Sequence, residues 1–286
     1  MNDKELVSVI IPFYSNSKGL LISSVTSALK QSYDNIEVVV VDDCSPIKAK
    51  AELASISDDR LTIIECDTNH GGGVARNIGV KESKGVYVCF LDYDDYWYPI
   101  KVEKQLKEIR GKNPEKTVIY SKTKVISGNR SVVKPSQSIG SNESVADYIF
   151  TKQQIIQTSG IFLSRNLAEQ CPFHDIKRHQ DYQFCLALEK YGCTFIMSED
   201  VLYEFVQIPK KNDYEFSAWW LEEYGSNFSV EARKSFIRNV VLRSMIFHHY
   251  HIHNALLYAM KKKQTLDAIK ILVKLPLRMI LIKLRD

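Results

Sequence analysis

The stretch Leu6-Val7-Ser8-Val9-Ile10-Ile11 is a short apolar run rich in β-branched residues, and Pro12 follows it directly. Such a run is typical of a strand buried on both faces of a parallel sheet. Similar runs recur at 36–41, 61–65 and 86–91, and stretches with helical spacing lie between them, at 18–31 and 73–83. Strands that alternate with helices predict an α/β fold with a Rossmann-like, mostly parallel central sheet.

Polar residues follow three of these predicted strands. Tyr14 comes after the first strand, the Asp42-Asp43 pair after the second, and an acidic cluster after the fourth. Ligands of parallel sheets bind at the carboxyl ends of the strands. The sequence therefore predicts a ligand site at this edge of the sheet.

The acidic cluster reads Phe90-Leu91-Asp92-Tyr93-Asp94-Asp95. Carboxylates this close repel one another, and a divalent cation with oxygen ligands would offset that repulsion and bridge a diphosphate. Two alternatives remain from the residues alone. Asp92 or Asp95 caps the following turn, or the cluster is the nucleophile motif of a phosphatase.

Further candidates have both a local and a functional interpretation. The Asp42-Asp43 pair either binds a base or ribose or caps the next helix. In the glycine-containing segment 69–77, Arg76 either meets a phosphate or belongs to a flexible turn. Asp181, at the start of a predicted helix, is either a cap or a general base for an attacking hydroxyl.

Composition and charge bound the class of protein. The 286 residues are 45% hydrophobic and 25% charged, which are globular values. Of the net charge of +4, residues 261–286 carry eight basic and two acidic residues, so the rest of the chain is close to neutral. This distribution argues against nucleic acid as a partner. The basic amphipathic tail predicts contact with an anionic membrane surface, or else a packed terminal helix.

Cysteines and histidines add two expectations. The six cysteines form no CxxC pair and no signal peptide is evident, which favours a reducing cytosol. His248, His249, His251 and His253 have a helical spacing that suits either a metal site or a helix face.

The rest of the chain predicts three segments. Residues 1–115 form the half that contains the motifs. Residues 116–212, with short strands at 118–120, 124–126, 195–197 and 201–206 and a helix at 180–190, form the second half of the same domain. Residues 213–286 form a C-terminal helical extension, with one long periodic stretch over 230–263.

In this order and spacing, the motifs resemble family 2 glycosyltransferases with the GT-A fold. The resemblance rests on 7–14, 39–45, 69–79 and 90–99, and more loosely on Arg178-His179-Gln180-Asp181. It departs from the family at Gln180, where a Glu is common.

The resemblance implies a role for each matched position. The donor nucleotide would contact Pro12, Phe13, Tyr14, Asp43, Arg76, Asp92, Tyr93 and Asp94. Tyr14 would stack on uracil, and Asp92 and Asp94 would hold Mn²⁺ or Mg²⁺. Asp181 would be the catalytic base. Ser159, Trp219 and Trp220 are further candidates for contact with the acceptor.

The activity that the resemblance implies is inverting transfer of a sugar from a nucleotide donor, most simply a UDP-sugar. The acceptor would be a lipid-linked saccharide of O-antigen or capsule synthesis, at the inner face of the cell membrane. The alternatives are a catalytically silent nucleotide-sugar-binding module and a nucleotidyltransferase. The residues after the first strand argue against the nucleotidyltransferase, because they do not form its basic, glycine-rich loop.

Overall fold

The computed structural model describes residues 5–207, 213–247 and 251–273. The chain forms two compact units, the first from residues 1–145 and 154–208 and the second from residues 146–153 and 209–286. The predicted functional boundary at residue 115 lies inside the first unit and stays a prediction.

Among the described residues, the first unit is built on one mixed sheet of nine strands. In chain order they are β1 Val7–Phe13, β2 Ile36–Asp42, β3 Leu61–Glu65, β4 Tyr87–Phe90, β5 Tyr96–Trp97, β6 Thr117–Ser127, β7 Arg130–Lys134, β8 Phe162–Ser164 and β9 Thr194–Val206. The sheet order is β3-β2-β1-β4-β8-β6-β9-β5, and β7 pairs with β6. The first four strands are parallel, and β8 is antiparallel to β4 and β6. The predicted α/β class and mostly parallel sheet are confirmed.

Helices connect these strands. In the first unit they are α1 Leu20–Leu29, α2 Ala49–Glu52, α3 Gly72–Glu82, α4 Lys101–Ile109, α5 Arg165–Gln170 and α6 Gln180–Lys190, with a 3₁₀ turn at Thr158–Gly160. The second unit contains π-helical turns at Asp147–Thr151 and Ile237–Leu242, and the helices α7 Tyr214–Tyr224, α8 Val230–Phe236, α9 Arg243–Phe247, α10 Ile252–Lys261 and α11 Thr265–Val273.

Strand β1 continues past Pro12, where the sequence predicted its end. Residues of β1 pair with β4 only as far as Ile10, whereas pairing with β2 continues to Phe13. The Phe13 carbonyl accepts a hydrogen bond from the backbone N–H of Asp43, so the polar backbone groups of Phe13 point toward β2. Because these groups alternate in direction along a strand, the nitrogen of Pro12 points away from β2. The missing N–H of Pro12 therefore does not cost the sheet a hydrogen bond.

Helix α3 packs closely on β1 because of Gly79. A Cβ at this position would lie 2.3 Å from Cγ2 of Ile10. Only glycine lets the helix approach the strand this closely. This packing fixes the position of α3, and of its N-terminal end, relative to β1.

Two pairs of predicted short strands are each one long strand. β6 covers both 118–120 and 124–126, and β9 covers both 195–197 and 201–206. The two strands pair in parallel along their lengths, with register shifts at Ser121/Lys122 and Lys122/Thr123. The irregularity disrupts the alternation of apolar residues, and for that reason the pattern predicted a break.

The second unit has an aromatic core of its own. Trp220 is fully buried and stacks on Phe236, with ring centroids 5.4 Å apart, and on Tyr224 at 5.2 Å. The interpretation of Trp220 as an acceptor contact is therefore wrong, because its ring is inside the core. Trp219 is half exposed, so its predicted acceptor contact stays a prediction.

The predicted long helix over 230–263 is interrupted. It divides into α8, a π-helical turn, α9 and α10. His248 and His249 lie outside the described residues, as does the tail from 274 onward. Within the described part of the chain, no helix is long and apolar enough to cross a bilayer.

Candidate active site

The ends of β1, β2 and β4 meet at one edge of the sheet, as predicted. Phe13 is the register partner of Asp42, so Tyr14 and Asp43 follow neighbouring strand ends. The Tyr14 side chain is 45% exposed. An exposed aromatic ring at a strand end is a surface on which a planar base can stack.

Pro12 and Phe13 differ from Tyr14 in their exposure to solvent. Both are buried in the sheet. The Phe13 ring lies edge-on to the half-buried Tyr93 ring, with centroids 5.4 Å apart. The Phe13 ring thus packs against Tyr93 of the acidic motif. The Phe13 side chain is buried and has no exposed surface that a ligand could contact.

The Asp42-Asp43 pair is used locally. Asp42 accepts hydrogen bonds from the backbone N–H groups of Ser45, at 2.7 Å, and Ala49, at 2.8 Å. Asp43 accepts from the backbone N–H groups of His70, at 2.8 Å, and Gly71, at 2.7 Å. Asp42 is therefore a cap, and Asp43 fastens the glycine-containing segment to the end of β2.

Asp92 lies within a network of donors. Its carboxylate forms an ion pair with the Arg76 guanidinium and accepts hydrogen bonds from Gln157 Nε2, at 3.0 Å, and Thr158 Oγ1, at 3.2 Å. Gln157 and Thr158 belong to the segment before β8, 65 residues further along the chain than the motif. No periodicity singled them out in the sequence.

Asp95 is buried beneath the motif. It accepts hydrogen bonds from Ser159 Oγ, at 2.5 Å, and Gln157 Nε2, at 3.0 Å, while its Oδ1 is buried with no partner. Burial, and then the negative charge of Asp92, raise the pKa of Asp95 well above its usual range. Asp95 therefore contributes to the interior of the motif and presents no oxygen to solvent.

Ser159 was a candidate acceptor contact, and that interpretation is wrong. Its side chain is fully buried and donates to Asp95, and the Ser159 carbonyl accepts from Trp97 Nε1 at 3.0 Å. Ser159 thus holds the acidic motif in place from the inside of the sheet.

Arg76 is buried rather than open to solvent. Its Nη1 donates to the Gly72 carbonyl and to Gln180 Oε1, both at 3.1 Å, and its other terminal nitrogen contacts Asp92. The guanidinium also lies over the Phe173 ring, 5.4 Å from its centroid. Arg76 therefore connects the acidic motif to the start of α6.

Asp181 lies in the first turn of α6 and is partly buried. Burial, with a smaller contribution from the charge of Asp92, raises the pKa of Asp181 to about 6, while a backbone hydrogen bond and the charge of Arg76 oppose the rise. His179, which lies two residues before Asp181, has a φ of 61°, an unusual conformation for a residue other than glycine. A carboxylate with a pKa near neutral pH, close to an acidic motif, has the properties of a general base.

The residues at this edge allow a partial test of the cation hypothesis. Asp92 would have to exchange one of its donors to bind a metal directly, and Asp94, two residues further on, is half-buried. In the part of the chain that the structure describes, no cluster of three or more His, Cys, Asp or Glu side chains is arranged to hold a metal ion. A cation here would need ligands from a diphosphate, and such shared coordination is usual for Mg²⁺.

Comparison with known proteins identifies a family for this chain. A sequence model of "Glycosyl transferase family 2" matches residues 8–171. The amylovoran biosynthesis glycosyltransferase AmsB of Erwinia amylovora is 34% identical over 230 residues, which cover 75% of this chain and 76% of AmsB. The Escherichia coli enzyme WfgD, named a UDP-Glc:alpha-D-GlcNAc-diphosphoundecaprenol beta-1,3-glucosyltransferase, is 29% identical, covering 69% of this chain and 77% of WfgD.

Solved structures show the same fold. S. aureus TarS 1–349 in complex with UDP-GlcNAc superposes with a TM-score of 0.62 and 20% identity, covering 94% of this chain and 81% of TarS 1–349. The matched residues run from β1 through the acidic motif to just past β8, and the segment 178–181 lies beyond them. The chain therefore belongs to glycosyltransferase family 2, with the GT-A fold.

Proposed function

We propose that this protein is an inverting glycosyltransferase that moves a sugar from a UDP-sugar to a hydroxyl of a lipid-linked oligosaccharide in surface polysaccharide synthesis. The observation that carries the proposal is the link between the acidic motif and Asp181. Arg76 bonds Asp92 on one side and Gln180, the neighbour of Asp181, on the other. The lipid-linked acceptor is supported by the similarity to WfgD, whose name specifies a diphosphoundecaprenol acceptor.

The donor would bind along the strand ends. The exposed Tyr14 ring would stack on uracil, and Asp43 would orient the base through the segment that it fastens. Asp94, with support from Asp92, would hold Mn²⁺ or Mg²⁺ against the diphosphate. A bound cation supplies positive charge that stabilises the departing diphosphate.

The reaction would be one displacement at C1 of the sugar. Asp181 accepts the proton of the acceptor hydroxyl as its oxygen attacks C1, and the bond from C1 to the diphosphate oxygen breaks. The new C–O bond forms on the face opposite the leaving group. One such displacement inverts the anomeric centre, so an α-linked donor yields a β-linked product.

Titration calorimetry with nucleotides tests the donor site. We expect UDP to bind in the presence of Mn²⁺ more tightly than GDP, dTDP or CMP, and the binding to be lost in EDTA. Replacing Asp94 with Asn should weaken metal-dependent UDP binding by about tenfold or more, because a neutral amide is a poorer ligand for a hard cation. UDP binding that is equal with Mn²⁺ and with EDTA would contradict the cation site.

Replacing Asp58 with Asn is the matched control for Asp94. Asp58 is bonded to Arg60, on the turn before β3 and away from the strand-end residues. The control should bind UDP as the unchanged protein does.

The pH dependence of the rate tests Asp181 as the base. Only the ionised carboxylate accepts a proton, and its pKa is raised from 3.8 to about 6. We expect kcat/KM to be level above that pH and to fall about tenfold for each pH unit below it. A rate that stays level down to about pH 5 would contradict the assignment, provided that UDP binding is measured over the same range.

The location of the protein is part of the proposal. A lipid-linked acceptor places the reaction at the inner face of the cell membrane, where the protein would be peripherally bound. The predicted contact of the basic tail, through Lys270, Lys274 and Arg278, stays a prediction, and Lys274 and Arg278 lie outside the described residues.

A further inference from the structure

Helices α10 and α11 of the second unit have one buried and one exposed face. Ala255 and Ala259 of α10, and Ala268 and Ile271 of α11, are buried. The exposed side chains of the segment 251–273 are those of His251, Ile252, His253, Asn254, Leu257, Met260, Lys261, Lys263, Leu266, Ile269, Lys270 and Val273. We refer to this set as the α10–α11 face.

The α10–α11 face contains no acidic residue. Asp267 is the one acid of the segment 251–273. It is only partly exposed and lies 3.8 Å from the Arg238 guanidinium. Lys261, Lys263 and Lys270 are fully on the exposed side. The charge of the face is therefore of one sign, and it is complementary to an anionic surface.

Large apolar side chains accompany these lysines. On α11, Leu266 is 72% exposed, Ile269 45% and Val273 69%. Their spacing of three and four residues places them in one stripe of the helix, opposite Ala268 and Ile271. Leu257 and Met260 of α10 are also exposed. An apolar stripe flanked by lysines is the pattern of a helix that lies in the boundary of a bilayer.

We propose that the α10–α11 face inserts its apolar stripe into an anionic lipid surface while its lysines contact the lipid headgroups. This inference deepens the membrane association within the proposed function and rests on it for its biological role. It extends the predicted contact of the amphipathic tail to α10, and it assigns the insertion to described residues.

The test measures binding of the full chain to vesicles by flotation, without donor or acceptor. The vesicles contain phosphatidylcholine alone or phosphatidylcholine with phosphatidylglycerol. We expect binding to the anionic vesicles that persists in part between about 0.1 M and 1 M salt, because screening weakens charge contacts but leaves apolar insertion in place. Replacing Leu266, Ile269 and Val273 together with Ser should lower the partition coefficient at least about tenfold.

A control variant tests whether the loss of any exposed apolar side chains, rather than those of the α10–α11 face, lowers vesicle binding. Val132 and Val133 of β7 are exposed to a similar degree, 53% and 45%. Replacing both with Ser should leave vesicle binding unchanged. Unchanged circular dichroism and UDP binding in the triple variant would show that it folds.

Two results would overturn the inference. One is vesicle binding by the triple variant equal to that of the unchanged protein. The other is a change of oligomeric state in sedimentation without a change in vesicle binding, which would identify a second copy of the chain as the occupant of the face. Neither result bears on transfer activity, so failure here is distinguishable from failure of the proposed enzyme function.

Discussion

Replacing Asp181 with Asn is expected to lower the rate of sugar transfer by about a thousandfold while leaving UDP affinity unchanged. An amide has nearly the shape of the carboxylate but cannot accept the proton of the attacking hydroxyl, and a positioned general base contributes about 10² to 10⁴ in rate. Asp181 is in the first turn of α6, where the Asn side chain can keep the same position. The measurement is the single-turnover rate of transfer, together with UDP titration of the same preparation.

Asp175 provides a matched control for this substitution. It lies in the segment before α6, six residues before Asp181, and its side chain is exposed. Replacing Asp175 with Asn makes the same chemical change near the same helix and should leave the rate within about twofold of its starting value. Full activity of the Asp181 variant would show that Asp181 is not the general base. The proposal would then lose the observation that favours an enzyme over a catalytically silent binding module.

Replacing Arg76 with Met is expected to lower the free energy of unfolding by about 3 kcal/mol. The Arg76 side chain is 8% exposed and that of Asp92 is 24% exposed, so the ion pair is largely shielded from water. Removing the cation leaves the Asp92 carboxylate partly buried beside Asp95 without its counter-charge. The same change separates the acidic motif from Gln180, so we also expect a lower transfer rate.

The exposed ion pair between Arg165 and Glu169 is the control for Arg76. Both side chains are more than one third exposed, at 37% and 40%, and they lie one helical turn apart on α5. Replacing Glu169 with Gln removes this pair but keeps the bond from Arg165 Nε to the Gly85 carbonyl, and it should change stability by about 0.5 kcal/mol or less. Urea unfolding of the two variants, under identical conditions, measures the difference. Equal effects of the two substitutions would show that burial of the Arg76 pair adds nothing to stability.

The features that the sequence predicted and the structure confirms, such as the strands β1, β2 and β4, are local in the chain. The runs that became β1, β2 and β4 are apolar enough to be recognised alone, and the polar residues that follow each run are adjacent to it in sequence. Parallel pairing then requires those residues to meet at one edge. The position of Tyr14, Asp43, Asp92 and Asp94 at the strand ends was predicted in this way, while their roles stay predictions. Helix α6 was recognised from its own spacing.

The errors concern residues whose surroundings come from distant parts of the chain. Trp220 and Ser159 were given acceptor contacts, but their side chains are enclosed by partners that do not adjoin them in sequence, such as Phe236 and Asp95. The expected place of Arg76 near a nucleotide stays a prediction, and the structure adds its bonds to Asp92 and Gln180, which the sequence did not predict. Burial of a single polar or aromatic residue is set by packing, and no periodic pattern reports it.

The sequence by itself determined the α/β class, the strand ends that carry the motifs, and the family. The period of the hydrophobic residues and the position of a strand end depend on residues that are neighbours in the sequence, so both can be recognised from the sequence alone. Only the tertiary structure decided how the carboxylates are used. It joined Gln157 and Thr158 to Asp92, buried Asp95 and connected Arg76 to the helix of Asp181. The ionisation of a carboxylate depends on the water, donors and charges around it in space, and residues more than 60 positions away supply most of these.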